Sequence, residues 1–522
     1  MGVRGLTPGI VNGALLAVRK PTTAGETRIS ERPARPLAYK GNAPATMPAD
    51  KAGDPKKGPA FRKPKVHKPA SSEPRKNSDS RGRREAPGMA ARQLAVTVLV
   101  QVLNRGQSLD DTLASAFASE RGKALEPRDR AIARLIVTTV LRRSGELGAA
   151  IRAHLDKPLP DDAGRLWTIL LSAAAQLLVL ETPPHAAINL AVEQVRADRD
   201  AARFDGLTNA VLRRVSERGL GAATPRDAAR LNIPAWLFAK WTEAYGPETA
   251  HLIAEASLHE AALDLTVKSD PQKWAETLGG IVLPTGSVRV SASGRIEDLP
   301  GYAEGAWWVQ DAAAALPVKL LGDIGGQDVA DLCAAPGGKT AQLVIAGGRV
   351  TAVDLRPERI KRMQQNMDRL GLSCETVAAD AGDWAPDRLF DAVLLDAPCT
   401  ATGTIRRHPD ILHLKRETDA AQLEPIQARL LANAARLVKP GGTLVYCTCS
   451  LDLAEGEWHI KDFLIDNPDF TRKPITAGEA GIESAWITPD GDLRTLPFHL
   501  TLEAPLTGGI DGFYAARLVR KV

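Results

Sequence analysis

From Asp311 to Val522, short apolar runs alternate with helix-patterned stretches, and this alternation restricts the fold more than any other feature of the chain. The apolar runs are DVADLCA, GRVTAVD, CETVAAD, FDAVLLDAP and GTLVYCTCS. Helices are predicted between and after them, at 339–346, 357–370 and 417–438. Alternating strand and helix units imply a largely parallel sheet with helices on both faces. The fold class is α/β, and its ligands belong beyond the C-terminal ends of the strands.

The remainder of the 522 residues is too long for one core, so two or three domains are expected. Residues 1–87 are rich in Pro, Lys, Arg, Ser and Gly and read as a disordered basic leader. Residues 1–85 carry 19 Lys and Arg against 7 Asp and Glu, leaving 48 against 55 for the rest. Such a leader either engages a polyanion or serves as a solvated linker. Residues 88–220 place apolar side chains at three- and four-residue steps, as in ARQLAVTVLVQVLNRG and RDRAIARLIVTTVLRRSGEL. They predict a bundle of five to seven helices. Arg142, Arg143, Arg213 and Arg214 fall near the ends of two of these helices, where they either complement helix C-termini or meet nucleic acid. Residues 219–230 read as a linker, 232–310 as a small α/β segment, and 311–522 as the last domain.

An apolar content of 44% and a charged content of 25% are those of a soluble globular protein. There is no apolar run of 18 residues or more and no clear secretory signal. Five cysteines in so long a chain make no disulfide framework, so a reducing cytoplasm is expected.

The first strand of the last domain runs into AAPGGKT (334–340). Gly337 and Gly338 permit a tight turn close to a ligand, and Pro336 stiffens it. The spacing is neither GxxxxGK[ST] nor GxGxxG. The next three strands end at Asp354, Asp380 and Asp396. An ionised carboxylate accepts hydrogen bonds only, so Asp354 suits the two hydroxyls of a ribose and Asp380 lies where an adenine would follow. Each acid alone would pass for a helix cap. Together the strand ends describe an adenosine pocket. Without the dinucleotide glycine fingerprint, S-adenosylmethionine is a better ligand than NAD.

The cysteines are Cys333, Cys374, Cys399, Cys447 and Cys449. Cys333 and Cys374 read as structural. Zinc would need four ligands, and no CxxC or HxxxH companion exists, so no metal is expected. A disulfide between Cys447 and Cys449 is geometrically poor. Cys399 and Cys449 each follow an apolar strand in a polar turn beside the cofactor pocket. A thiolate there can attack an electron-poor ring carbon such as carbon 6 of cytosine, making carbon 5 nucleophilic enough to take a methyl group. Cys449 is read as the nucleophile and Cys447 as packing.

DLCAAPGGKT (331–340), DAPCTATGTIRRHPDI (396–411) and YCTCSLDLAEGE (446–457) resemble the RNA 5-methylcytosine methyltransferases of the RsmB/Sun (Fmu) type. PPHAAINLAVE (183–193) and LTNAVLRRV (207–215) resemble the NusB-like helical module that precedes the Rossmann-like methyltransferase domain in that family. The resemblance covers about 88–522. It implies S-adenosylmethionine as cofactor, with Cys333, Ala334, Ala335, Pro336, Gly337, Gly338 and Lys339 at its methionine moiety. It implies Asp354 at its ribose, Asp380 at its adenine edge, and Asp396 between cofactor and base. Lys339 also reaches toward the base. Cys449 is then the nucleophile, and Cys399 assists loss of the carbon 5 proton and release of product. The implied partner is RNA, small-subunit ribosomal RNA first and transfer RNA second, with Arg406, Arg407 and His408 facing it. The chain departs from the family at Thr400, usually Ser, at His413, often Trp, and at Cys447, often Ser. Two rivals, a DNA cytosine methyltransferase and a non-catalytic RNA-binding assembly factor, are opposed by the Thr-Cys-Ser strand end and by the intact cysteines and acids.

Overall fold

The computed structural model describes residues 86–221, 224–291, 294–500, 502–503, 506 and 508–522. The leader expected over 1–87 lies outside them except for its last two residues. Helices α1 (Met89–Arg105), α2 (Leu109–Ala118), α3 (Pro127–Arg152), α4 (Leu166–Leu178), α5 (Pro184–Ala197) and α6 (Asp205–Arg218) make the first bundle. Their ends follow local chemistry. Gly106 adopts the left-handed region after α1, the Ser108 side chain accepts from the Asp111 amide to cap α2, and Pro127 and Pro184 sit in the first turns of α3 and α5. The most apolar helix, α4, is central and packs against α1, α3, α5 and α6. Leu166, Ile169, Leu170 and Ala174 of α4 are buried there, each leucine contributing about 1.5–3 kcal/mol.

Arg142 and Arg143 close the first of two helical stretches that meet at a kink at Arg143, the second running on to Arg152. Arg142 is buried, and Arg143 pairs with Glu146 at 2.7 Å. Arg213 and Arg214 are exposed on α6.

The stretch expected as a linker contains α7 (Pro225–Asn232). Thr224 caps it by accepting from the Asp227 amide at 3.1 Å, and Pro225 occupies its first turn, a start signal that outweighs the polar composition. With α8 (Ala235–Tyr245) and α9 (Pro247–Ser257), it packs Ile233, Leu237, Trp241 and Ile253 against Ile405, Ile411, Leu412 and Leu451 of the last domain. Only then does the small sheet begin: β1 (Leu263–Val267), α10 (Pro271–Leu278), β2 (Ile281–Val282), β3 (Val288–Val290) and β4 (Trp307–Val309), in antiparallel order β2-β3-β1-β4. Asp264 and Arg289 face each other across β1 and β3, fully buried and bonded twice at 2.7 and 2.8 Å. Arg289 also donates to the Gly509 carbonyl at 2.6 Å, tying this sheet to the last domain. Removing one partner of such a pair costs about 3–5 kcal/mol.

The last domain contains β5 (Asp328–Leu332), α11 (Gly338–Ile345), β6 (Arg349–Asp354), α12 (Pro357–Leu370), β7 (Glu375–Ala378), β8 (Phe390–Asp396), α13 (Asp419–Leu437), β9 (Val438–Thr448), α14 (Glu457–Asp466), β10 (Phe470–Arg472), β11 (Leu493–Thr495) and β12 (Phe513–Arg520). The main strand order is β10-β12-β9-β8-β5-β6-β7, with β11 pairing on β12. Strands β5 to β9 are parallel, and β12 runs antiparallel to β9. Successive residues enter opposite cores. Val393, Leu395, Leu444 and Tyr446 pack toward α13 and α14, whereas Leu394, Val445 and Cys447 pack on the other face. Strand order reverses between β5 and β8, so the turn after β5 opens at the switch point where ligands of such sheets bind.

Candidate active site

The turn after β5 is held by its own backbone. Cys333 takes φ +61°, the Ala334 amide donates to the Val353 carbonyl at 3.0 Å, and the Gly337 amide donates to the Ala334 carbonyl at 2.9 Å. Gly337 sits at φ +100°, where a β-carbon would stand 2.6 Å from Met363 Cγ of α12. Only glycine satisfies both the dihedral and the close approach. The turn thus carries Cys333 to Lys339 over the switch point, as the sequence predicts.

Acidic groups surround it. Asp354, 1% exposed, accepts from the Ala335 amide at 3.1 Å and the Arg356 amide at 3.3 Å, and pairs with Arg359 at 3.0 Å. A carboxylate has about four lone-pair sites, so these three donors leave room for another, on the side of the half-exposed Arg359. Asp380 accepts from Arg429 at 2.8 Å and from the Gly382 amide at 2.9 Å, and the Arg429 hydrogen bond holds its carboxyl below the usual range. Asp396 Oδ2 accepts from Lys339 Nζ at 2.7 Å, and its Oδ1 lies 3.6 Å from the Cys447 thiol. Burial opposes the charge on Lys339, but the Asp396 carboxylate more than compensates and holds it cationic. Below the turn, Asp331 accepts from Thr340 at 2.6 Å through one oxygen while the other, buried, has no partner. Burial pushes its carboxyl up to about 7. A ligand rich in donors and carrying positive charge, such as the ribose, ammonium and sulfonium of S-adenosylmethionine, fits this set of acceptors.

The two cysteine loops meet beside the Lys339–Asp396 pair. Cys399 Sγ and Cys449 Sγ are 3.5 Å apart, and both residues are half-buried. The hydrogen bond with Cys449 and then burial hold the Cys399 thiol well above its ordinary range. Cys447 is buried, its thiol raised by burial, and it belongs to the core beneath the sheet. Burial likewise pushes Cys333 up to about 12 and Cys374 up to about 11.

The residue that organises these loops, Glu455, was given no role in the sequence reading. It is 1% exposed and accepts from the Thr400 amide at 2.9 Å, from the Thr400 hydroxyl, and from Gln427 Nε2 at 3.0 Å. Gln427 Nε2 also donates to the Pro398 carbonyl at 2.8 Å, so the residues on both sides of Cys399 are held. Thr400 Oγ1 lies 3.0 Å from Ser450 Oγ, directly after Cys449. Threonine in place of the usual serine keeps the hydroxyl that makes these bonds. The available signal was Glu455 itself, an acid six residues beyond Cys449 in the stretch SLDLAEG.

Arg406 and Arg407, expected to face RNA, turn inward instead. Arg406 is 1% exposed and bonds Asp511 at 3.1 Å; Arg407 bonds Asp511 at 3.0 Å and also Asp311. Two buried carboxylates have captured the cations, which sequence spacing does not reveal. His408 remains half-exposed at the rim, 3.5 Å from Asp110. His413 is turned inward, its Nε2 2.8 Å from the Leu141 carbonyl oxygen, and burial lowers its pKa. Among the described residues there is no group of three or more His, Cys, Asp or Glu arranged to hold a metal ion, and no helix is long and apolar enough to cross a membrane.

Residues 319–519 match the family model described as 16S rRNA methyltransferase RsmB/F, and residues 89–217 match the NusB family. Ribosomal RNA small subunit methyltransferase B of Vibrio cholerae is 37% identical over 73% of this chain and 90% of its own length. The protein of the same name from Salmonella arizonae is 34% identical over 82% of this chain and 98% of its own. The solved structure titled "Crystal Structure of PH0851" superposes with a TM-score of 0.65 at 22% identity, covering 83% of this chain and 99% of that one, a likeness of fold.

Proposed function

Because the chain belongs to the ribosomal RNA small subunit methyltransferase B family, we propose that it methylates carbon 5 of a cytosine in small-subunit ribosomal RNA through a transient bond to Cys449. One observation carries the chemistry: the Cys399 and Cys449 sulfurs touch at 3.5 Å beside the Lys339–Asp396 pair. The cofactor loop Cys333–Lys339 with Asp354, Asp380 and Asp396 would hold S-adenosylmethionine, which supplies an electrophilic methyl group when bound.

Cys399 is held as a thiol by its hydrogen bond to Cys449 and by burial. Cys399 can therefore serve as the donor of the pair, which leaves Cys449 as the sulfur that attacks. Cys449 adds to carbon 6 of the ring, breaking the carbon 5–carbon 6 double bond and moving its electrons toward carbon 5 and, through conjugation, nitrogen 3. Lys339, kept cationic beside Asp396, is the group available to stabilise that shift. Carbon 5 takes the methyl group and must then lose its proton. Once Cys449 carries the base, it no longer raises Cys399, which releases its own proton to solvent and as a thiolate accepts the carbon 5 proton. Expulsion of Cys449 restores the double bond. The base has to leave its stack to reach sulfurs that are half-buried at the strand ends.

A ribosomal RNA transcript containing 5-fluorocytosine keeps fluorine where the proton should leave, so the adduct cannot resolve. Peptide mapping of the trapped complex should place the RNA on Cys449. Linkage to Cys399, to another residue, or to none would overturn the assignment.

A further inference from the structure

The segment after Cys399 runs directly into the helical domain. Asp410 Oδ2 accepts from the Leu109 amide at 2.9 Å, at the first turn of α2. Arg142 Nη2 of α3 donates to the Arg406 carbonyl at 2.9 Å. His413 Nε2 lies 2.8 Å from the carbonyl oxygen of Leu141, the neighbour of Arg142. Leu414 packs on the helical core. Arg142 and Asp410 are buried.

On its other side the same segment reaches the thiols. Arg406 bonds Asp511, the neighbouring Gly512 amide donates to the Gly403 carbonyl at 2.9 Å, and the Gly403 amide donates to the Cys449 carbonyl at 2.9 Å. There is no slack at this crossing, because a β-carbon on Gly403 would stand 1.9 Å from the Gly512 carbonyl oxygen. A run of buried contacts therefore leads from α3 through Arg406, Asp511 and Gly403 to Cys449. It is not fully satisfied: Arg142 Nε, Arg406 Nε and Nη1, and Asp410 Oδ1 are buried without a partner. Unmatched buried groups make the seated arrangement costlier than a complete network would be. A modest change at the domain contact can then move the loop.

We propose that the helical domain is a positioning element of the catalytic centre, with Arg142 and Asp410 seating the Arg406–His413 segment so that Cys399 and Cys449 stay in contact. Its seating governs turnover separately from any grip that the domain has on RNA. The kinetic part of this proposal rests on the methyl-transfer reading; the sulfur geometry does not.

The test uses the full chain with Arg142→Ala, Arg142→Lys and Asp410→Ala, and with Glu120→Gln, exposed and away from the segment, as control. Two measurements are made on each. One is kcat and KM for methylation of a small-subunit ribosomal RNA transcript. The other is the rate at which diamide, a two-electron thiol oxidant, links Cys399 to Cys449, followed by mass spectrometry without RNA or cofactor. Arg142→Ala and Asp410→Ala should lower kcat at least tenfold with KM within twofold, and slow the cross-link at least fivefold. Arg142→Lys keeps the buried charge while changing its reach, and should move both readouts in the same direction by less. The control should match the wild type. A rise in KM alone, or a wild-type cross-linking rate in Arg142→Lys and Asp410→Ala, overturns the proposal. If the wild type cross-links and the variants do not, but no variant or wild type methylates RNA, the functional reading fails and the positioning inference stands.

Discussion

Replacing Glu455 by glutamine removes one charge from a buried site. The carboxylate receives the Thr400 amide, the Thr400 hydroxyl and Gln427 Nε2, and Glu455, Thr400 and Gln427 are all buried. A bond to a charged group contributes about 1.5–3 kcal/mol net, a neutral one about 0.5–1.5, and a buried donor left unmatched costs about 1–3. In the glutamine variant one oxygen becomes an NH₂ donor. The Thr400 hydroxyl can rotate toward it and accept, using its contact with Ser450, but the Thr400 amide and Gln427 Nε2, which already share Oε1, then meet a neutral amide oxygen in place of a carboxylate. Downgrading these bonds should cost about 2–4 kcal/mol of stability, read from the denaturation midpoint. The loop carrying Cys399 is fixed on both flanks by this site, so its relaxation should displace the sulfur. A misplacement of about 1 Å lowers turnover roughly 100-fold. The cofactor turn makes no bond to Glu455, so calorimetric affinity for S-adenosylmethionine should not change. Thr400→Ser, which keeps both the amide and the hydroxyl, should be nearly neutral in the same assays. Turnover within threefold of wild type, together with stability within about 0.5 kcal/mol, would refute the reasoning, as would a loss confined to cofactor binding.

Cys399→Ala should form the bond to RNA but fail to resolve it, accumulating a protein–RNA adduct that survives denaturing electrophoresis; absence of an adduct with a methylatable transcript contradicts the two-thiol mechanism. Asp354→Ala should weaken S-adenosylmethionine by at least roughly tenfold, the worth of about one charge-assisted bond, and unchanged calorimetric affinity would remove Asp354 from the ribose role. Burial pushes the Asp331 carboxyl up to about 7 in the fold, from about 3.9 for a free side chain, so the folded state holds its proton more tightly. The stability it contributes is full below about pH 4 and is lost as pH rises through about 7, by at most roughly 4 kcal/mol. Asp331→Asn should flatten that slope in melts between those limits, and an unaltered slope rejects the assignment. For RNA, Arg213→Ala with Arg214→Ala should reduce the logarithmic salt slope of binding by roughly 1.5, whereas Arg407→Met should leave it unchanged; the opposite pattern would return Arg407 to the RNA surface.

The parallel sheet was legible because strands covered on both faces leave a run of Val, Leu and Ala that little else produces. FDAVLLD and TLVYCT keep that signature, and both strands pack side chains into two cores. The glycine turn was legible for a comparable reason, since a left-handed φ beside Met363 leaves Gly337 no substitute. Helix α7 was less so: its polar surface resembles a linker, and only the Thr224–Pro225 start marks it. Least legible were the partners of charged groups. Arg406 and Arg407 have the sequence character of surface cations, and what draws them inward is Asp311 and Asp511, about a hundred residues away on either side.

Glu455 stands inside the stretch YCTCSLDLAEGE, but the same distance effect hides what it does for both thiol loops. Its role exists only when β8, β9 and α13 have brought Thr400, Ser450 and Gln427 to one point. A motif of adjacent residues can specify a turn, because a turn is closed by its own backbone. It cannot specify an ion network closed by strands from elsewhere. In this chain the atoms proposed to form and break bonds lie in the first kind of feature. The atoms that hold them at 3.5 Å lie in the second, because Thr400 and Glu455 stand in different stretches and close on Gln427 outside both, and failure at Gln427 should appear in turnover while the motifs remain unchanged.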